Sequence, residues 1–272
     1  MKTRIITAAV LLCIFIPVVL LSHTFVYVVF AAALALVGAY EMLSCMKMSK
    51  NLKVLVPSLV YSVLSTSLTR AGNFDKILIC LTAIYLFALL ALSVFGSEKE
   101  REKLPESVFA AMMIIYITFG FSMLVAVRDA VNGIFLFPIA YAAAWVSDTG
   151  AYFVGLKFGK RKLIPEISPK KTVEGFIGGL ASCVIVVMIY ASFVGIFSPV
   201  TPNYFWIFFC SVILSAASVV GDLIASMIKR RYKVKDYSHI FPGHGGVLDR
   251  FDSILATASL TYILTSIMPL FE

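Results

Sequence analysis

Long apolar runs constrain this chain more than any other feature of its sequence. A helix needs about 20 apolar residues to cross the ~30 Å hydrocarbon core of a bilayer, and about nine runs approach that length. They cover residues 5–21, 24–45, 54–69, 75–95, 107–127, 133–156, 173–197, 204–228 and 250–270. The sequence therefore predicts an all-α, polytopic integral membrane protein with about nine transmembrane helices. Run 54–69 is the weakest, because Pro57 and several serines interrupt it.

The composition agrees with this class. Of 272 residues, 60% are hydrophobic and only 14% are charged, whereas soluble domains are roughly half apolar and a quarter charged. The first run is not followed by a small-x-small cleavage pattern, so we expect a retained helix rather than a signal peptide. We expect residues 1–130 to form N-terminal transmembrane helices for packing and possible dimerisation, and residues 131–272 to form a C-terminal catalytic region.

The positions of the positive charges predict the orientation. With a cytosolic N-terminus, Arg70, Lys76 and Arg128 are the three of the 23 Lys and Arg that fall outside. The others fall in cytosolic segments, as the positive-inside rule requires. A net charge of +8 distributed in this way indicates contact with anionic lipid head groups and a cytosolic anion, not with nucleic acid.

Informative residues begin in run 133–156, which carries Asp148 short of its cytosolic end. A carboxylate in this position costs a few kcal/mol unless it is paired or binds a cation. The alternative is a structural hydrogen bond to Ser147 or to a neighbouring helix.

The next loop contains SPKKTVEG. We expect Ser168 to be an N-cap with Pro169 at the first helical position, which would place Lys170 and Lys171 in the first turn. Lysines oppose the helix dipole there, so an anion bound by both ammoniums and by backbone N–H groups explains them better. Anchoring by positive charge at the cytosolic face is the alternative.

The end of run 204–228 carries a second group of polar residues. Asp222, Ser226, Lys229 and Lys233 are spaced i, i+4, i+7 and i+11, which predicts that they share one helical face. Asp222 could be an ion-pair partner of these cations, or it could bind a metal.

Run 250–270 is preceded by a loop with cations and glycines. Asp249 and Asp252 are i, i+3 neighbours on one face, although acids in a first turn are also ordinary helix-dipole partners. With Asp222 they would form an oxygen-rich site suited to Mg²⁺, which takes one or two carboxylates together with water and phosphate. Glycines in Pro242-Gly243-His244-Gly245-Gly246 let the backbone approach a bound group. By contrast Glu41, in the second run, is interpreted as a hydrogen-bond partner between helices rather than as a catalyst.

Residues 226–252 resemble a known signature. The order Ser226-x-Ile228-Lys229-Arg230, four residues, Lys235-Asp236, Ser238, Phe241-Pro242, His244-Gly245-Gly246-Val247, Asp249-Arg250-Phe251-Asp252 is similar to that of the phosphatidate cytidylyltransferase family. The SPKKTVEG loop also resembles a conserved region of that family. The resemblance implies an all-helical membrane enzyme, generally dimeric, that uses Mg²⁺ to convert CTP and phosphatidic acid into CDP-diacylglycerol and pyrophosphate. It says nothing about particular residues in the N-terminal third.

With this resemblance, roles can be assigned as hypotheses. We expect Asp222 and Asp249 to bind the metal, with Asp252 and Asp148 as weaker ligands or outer partners. The predicted catalytic residues are Asp222, Lys229, Asp249, Asp252 and Arg250. The predicted substrate-binding residues are Ser168, Lys170, Lys171, Ser226, Arg230, Lys235, Asp236, His244, Gly245 and Gly246. His244 would position a phosphate or hold its loop, and base catalysis is the weaker alternative.

The sequence argues against two other functions. A transporter for an anionic or phosphorylated solute predicts charges near the midplane that are accessible from both faces, but the outer loops are almost bare of charge. CDP-alcohol phosphotransferases use a D-G-x-x-A-R motif, which this sequence lacks. Short termini suit a bacterial inner-membrane protein with its active site facing the cytosol.

Overall fold

The residue bounds of the helices agree closely with those of the apolar runs. The structure, a computed structural model, describes residues 2–96, 98 and 104–272. Its helices are α1 (Lys2–Leu20), α2 (Phe25–Cys45), α3 (Leu52–Ser67), α4 (Phe74–Val94), α5 (Leu104–Asp129), α6 (Gly133–Phe158), α7 (Val173–Phe197), α8 (Tyr204–Arg231) and α9 (Leu248–Ile267). A short hairpin, β1 (Lys162–Ile164) and β2 (Ser168–Thr172), lies between α6 and α7. The prediction of an all-helical protein is confirmed.

Six helices in the described part of the chain are long and apolar enough to cross a membrane, namely α2, α4, α5, α6, α7 and α8. The weak run around Pro57 forms a helix of only 16 residues, and the apolar part of α1 is also short, Ala9–Leu20. Nine membrane crossings and a cytosolic N-terminus therefore stay predictions.

One predicted helix start is wrong. Ser168 is not an N-cap, because Ser168–Thr172 pairs as an antiparallel strand with Lys162–Ile164. Helix α7 begins at Val173, and Thr172 is its N-cap, with the Thr172 hydroxyl accepting the Gly175 N–H at 3.1 Å. Lys170 and Lys171 thus lie on the strand before the helix. Thr172 has the same capping chemistry as Ser168 and avoids placing two lysines in the first turn.

The predicted helical face on α8 is also shorter than expected. Helix α8 ends at Arg231, and Lys233 has a positive φ of 57°, so Lys233 is not on the face shared by Asp222, Ser226 and Lys229. Asp222 and Ser226 do lie on one face, because the Ser226 hydroxyl donates to Oδ1 of Asp222 at 3.4 Å.

The helices and loops form two compact units. Unit 1 contains Met1–Ala126 and Tyr232–Arg250, so the glycine-rich loop packs with the N-terminal helices. Buried hydroxyl pairs connect its helices: Ser58 with Tyr85, Ser62 with Thr118, and Thr66 with Ser122. Such pairs satisfy polar groups between membrane helices, where no water is present to do so.

Unit 2 contains Val127–Arg231 and Phe251–Glu272. Helices α6 and α7 approach closely through small residues. A Cβ at Gly150 would overlap Ser182, and one at Gly178 would overlap Val154, as expected for small residues between membrane helices. This close approach fixes the end of α6 beside the start of α7, where the β-hairpin is attached.

Candidate active site

A pocket of about 520 Å³ opens in unit 2, between α6, α7, α8 and the hairpin. Its charged lining consists of Lys162, Lys170 and Lys171 with Asp148 and Asp222. The rest of the wall is mostly apolar and includes Tyr152, Leu156 and Phe176. The volume falls within the range of small-molecule sites, which are typically apolar with a few well-placed polar groups. A pocket lined by three lysines is suited to a phosphorylated ligand.

Three of the four predicted metal-binding acids belong to this unit. Asp148 lies on α6, Asp222 on α8 and Asp252 on α9. Asp252 is close enough to Asp222 and Asp148 for electrostatic interaction, and Lys229 lies within the same range. Asp148 also accepts a hydrogen bond from Ser253 at 3.3 Å. The hydrogen bond to a neighbouring helix, which was the alternative interpretation of Asp148, therefore exists, whereas Ser147 donates to Ser215 at 2.7 Å.

An ion pair connects the lysines to the acids. Nζ of Lys171 lies 2.5 Å from Oδ2 of Asp222. Asp222 is thus an ion-pair partner of a lysine, as one interpretation of its sequence predicted, but the lysine comes from the hairpin and not from α8. About a quarter of each side chain remains exposed, 22% for Lys171 and 27% for Asp222, although Nζ of Lys171 itself is buried.

Two contacts hold the hairpin in place. The carboxylate of Glu174, in the first turn of α7, accepts the backbone N–H groups of Lys160 and Arg161 at 3.0 to 3.2 Å. The guanidinium of Arg230 donates from Nε to the carbonyl of Ile167 at 3.4 Å. Arg230, predicted as a phosphate ligand, therefore also contacts the turn of the hairpin. The segment that carries Lys171 is thus held at the start of the hairpin and at its turn.

The glycine-rich loop lies in unit 1, and its turn is well defined. Pro242 and Gly243 occupy the centre of a turn closed by the His244 N–H and the Phe241 carbonyl, 2.8 Å apart. Gly243 has a φ of 78°, which is the conformation that favours glycine at the third position of a type II turn. The Phe241 N–H then bonds to the Gly245 carbonyl at 2.9 Å. Thr7 of α1 donates to the Pro242 carbonyl at 3.0 Å.

Asp249 organises this loop. Its Oδ2 accepts the N–H of Tyr237 at 2.8 Å and the N–H of Gly246 at 3.0 Å. A Cβ on Gly245 would crowd the same carboxylate. The predicted role of Asp249 as a metal ligand stays a prediction, and the structure adds a second role, since this side chain joins both ends of the loop.

Glu41 makes contacts with the glycine-rich loop that the sequence analysis did not predict. It is 1% exposed and accepts three hydrogen bonds: from Ser238 Oγ at 2.5 Å, from Val247 N at 2.9 Å and from Leu248 N at 2.8 Å. The expectation that Glu41 is a hydrogen-bond partner holds, but its donors belong to the glycine-rich loop and the first residue of α9. Its partners are about 200 positions away in sequence, so no local pattern indicates them.

The remaining predicted site residues lie at the surface of unit 1, in its loop, or in the hairpin of unit 2. Lys235 and Arg250 are exposed, and Asp236 is half-buried. In the described residues, Nδ1 of His244 is buried without a hydrogen-bond partner, which fits a histidine that contacts a ligand or packs in its loop. Ser168 pairs with Ile164 in the hairpin.

The donor set can be compared with the needs of Mg²⁺. No group of three or more His, Cys, Asp or Glu among the described residues is arranged to hold a metal ion. Mg²⁺ does not need such a group, because it binds through one or two carboxylates and completes its shell with water and phosphate oxygens. The neighbouring carboxylates of Asp148, Asp222 and Asp252 supply the hard oxygen ligands that this ion prefers.

Fold and site together define a class: an all-helical protein with several apolar helices and a pocket of lysines and carboxylates suited to phosphate chemistry. Residues 2–268 match the cytidylyltransferase family. The chain belongs to this family, which confirms the enzyme class, a nucleotidyltransferase, predicted from residues 226–252.

Similar proteins cover nearly the whole chain. It is 36% identical over 264 residues to a phosphatidate cytidylyltransferase of Staphylococcus haemolyticus, covering 97% of this chain and 98% of that protein. Proteins of the same name from Staphylococcus epidermidis and Staphylococcus aureus are 35% and 37% identical, over 266 and 267 residues, with the same shares covered. The similarity extends through the N-terminal third, where the sequence motifs were uninformative.

Proposed function

We propose that this protein transfers the cytidylyl group of CTP to phosphatidic acid, giving CDP-diacylglycerol and pyrophosphate in phospholipid biosynthesis. The observation that carries the proposal is the unit 2 pocket, which is lined by Lys162, Lys170 and Lys171 together with Asp148 and Asp222. Family membership and relatives named for this activity support it. The reaction would take place at the cytosolic leaflet of a bacterial inner membrane, in a homodimer.

The lysines would align two substrates that repel each other. Both substrates carry phosphate anions, and holding reacting groups in line can account for several kcal/mol of the barrier. Lys170 and Lys171 of the hairpin, with Lys229 and Arg230 of α8, would bind the phosphate groups. An apolar wall with Tyr152, Leu156 and Phe176 suits a lipid whose acyl chains stay in the bilayer.

The chemistry needs no strong general base. A phosphate monoester has a second pKa near 6, so the lipid phosphate is already largely ionised at neutral pH. Its oxygen forms a bond to the α-phosphorus of CTP, and the bond from that phosphorus to the β-phosphate oxygen breaks and releases pyrophosphate. The cationic side chains would stabilise the charge that develops during this step.

Mg²⁺ is the proposed cofactor. When bound, it would neutralise phosphate charge and act as a Lewis acid. Asp222 is the foremost candidate ligand in unit 2, with Asp252 and Asp148 as supporting acids, and Asp249 remains a ligand predicted from the sequence. Lys171 pairs with Asp222 and would keep this carboxylate from being an unpaired charge.

Release of pyrophosphate tests the proposal. Purified protein in detergent micelles would be given phosphatidic acid and CTP, ATP, GTP or UTP, with and without Mg²⁺. We expect release only with CTP, phosphatidic acid and Mg²⁺ together. If folded protein releases no pyrophosphate with any nucleotide, the proposal is wrong, and transport of a phosphorylated solute becomes the better hypothesis.

A further inference from the structure

The loop from Ser238 to Leu248 is held by a side chain that belongs to none of the predicted catalytic groups. That side chain is Glu41, on α2. Its carboxylate accepts hydrogen bonds from three groups of the loop: the Ser238 hydroxyl and the backbone N–H groups of Val247 and Leu248. A buried carboxylate with three donors is well compensated, but removing it leaves those donors without an acceptor, which is costly.

The fit around Glu41 is tight. A Cβ on Gly246 would overlap Oε1 of Glu41 and crowd Ser238. One helical turn before Glu41, a Cβ on Gly38 would come within 3.1 Å of Leu248. Gly38 and Glu41 thus form one face of α2 on which the end of the loop and the start of α9 are seated.

Glu41 and Asp249 divide the N–H groups of the loop between them. Asp249 accepts the N–H of Gly246, and Glu41 accepts those of Val247 and Leu248, so three successive backbone donors are oriented by two carboxylates. The two acids are also close enough to interact electrostatically. Displacing Glu41 would therefore shift the backbone that carries Asp249.

We propose that Glu41 is a positioning residue of the reaction, one that fixes the loop 238–248 so that His244, Gly245, Gly246 and Asp249 are presented in one arrangement. This inference rests on the proposed function for its catalytic consequence. The ordering of the loop does not depend on that function and can be measured separately.

The test compares Glu41→Ala, Glu41→Gln and Ser238→Ala with a matched control, Tyr85→Phe. The control removes a buried hydrogen bond of 2.9 Å between α3 and α4 in the same unit and touches no part of the loop. Backbone hydrogen exchange of residues 238–248 is measured in detergent, followed by kcat, KM and the Mg²⁺ concentration for half-maximal pyrophosphate release.

We expect faster exchange of the loop in Glu41→Ala and unchanged exchange in Tyr85→Phe. We also expect kcat to fall roughly 100-fold in Glu41→Ala, because a displacement of about 1 Å can cost that much. The Mg²⁺ requirement should rise, and KM for CTP should change less. Glu41→Gln retains the side-chain shape and one acceptor oxygen, so its kcat should fall less than that of Glu41→Ala. The fall in kcat for Ser238→Ala should be smaller still.

Unchanged exchange in Glu41→Ala would overturn the ordering role. Faster exchange with wild-type kcat and Mg²⁺ requirement would overturn the catalytic consequence, as would an equal loss of kcat in Tyr85→Phe. If Glu41→Ala does not fold, Glu41→Gln and Ser238→Ala decide by the same criteria. A wild-type protein that releases no pyrophosphate contradicts the proposed function and leaves the exchange result to decide the ordering role.

Discussion

Asp222 is paired with a lysine from a different segment, and this pairing determines what its substitution does. Replacing the carboxylate by an amide removes both a proposed Mg²⁺ ligand and the partner of Lys171, 2.5 Å away. A buried charge that loses its partner destabilises its surroundings, so stability has to be measured beside activity.

We predict that Asp222→Asn and Asp249→Asn each lower kcat at least 100-fold while the protein remains folded. The matched control is Glu166→Gln, which makes the same chemical change at an exposed position in the turn of the hairpin and should retain activity. Pyrophosphate release and thermal unfolding are measured on each protein. Near-normal turnover in either Asp variant would refute its assignment as a metal ligand.

The hairpin between α6 and α7 depends on the residue that ends it. Thr172 closes β2, caps α7 through Gly175 and directly follows Lys171. We predict that Thr172→Ala lowers stability by about 0.5–2 kcal/mol, the usual cost of losing an N-cap, and raises KM for the phosphorylated substrates.

Thr172→Ser restores the hydroxyl and should restore stability. Thr149→Ala is the control, since Thr149 is an exposed helical residue whose hydroxyl bonds only to its own helix at Trp145 in the described contacts. An equal shift of the unfolding temperature in Thr172→Ala and Thr149→Ala would contradict the capping role.

The glycine-rich loop leaves no room for a larger side chain at Gly246. Gly246→Ala places a methyl group against the Glu41 carboxylate, and forcing extra volume into a packed site typically costs 1–3 kcal/mol. Gly72→Ala is the matched control, because nothing lies within 4 Å of its added Cβ. Thermal unfolding should separate the two variants, and equal stability would show that the loop can move away from Glu41.

Local patterns predicted the helices well, because apolar length and capping chemistry act over a few residues. All nine predicted runs form helices in the described structure. Asp148, Asp222 and Asp252 are close enough to interact electrostatically, whereas the predicted site that also includes Asp249 stays a prediction. The same reasoning misplaced the start of α7, since a hairpin of a few residues has little hydrophobic signal. It also missed the partners of Glu41, which lie 197 to 207 positions away and can be found only in the folded chain.

The orientation of the whole molecule across the membrane is predicted from the distribution of its Lys and Arg residues. With nine crossings and a cytosolic N-terminus, residue 72 lies outside and residue 166 inside. We predict that, in a variant without the five native cysteines, Glu166→Cys reacts with an impermeant maleimide only in inverted vesicles. Gly72→Cys should react only in right-side-out vesicles.

The short helix α3 makes this labelling decisive. If Leu52–Ser67 does not cross the bilayer, residues 72 and 166 lie at positions opposite to those that nine crossings assign. Labelling of both cysteines from the same side would contradict nine crossings, because three helices, α4, α5 and α6, separate the two positions.

The distance along the chain between Glu41 and its donors has a consequence for biosynthesis. Ribosomes add about 5–20 residues per second, and Glu41 precedes Leu248 by 207 positions. Helix α2, a candidate membrane span, is therefore made roughly 10–40 s before the loop that satisfies its carboxyl group. During that interval the nascent chain carries the Glu41 carboxyl group without the three donors that bind it in the folded protein. The N-terminal helices therefore reach their final hydrogen bonding only when the last third of the chain has been made.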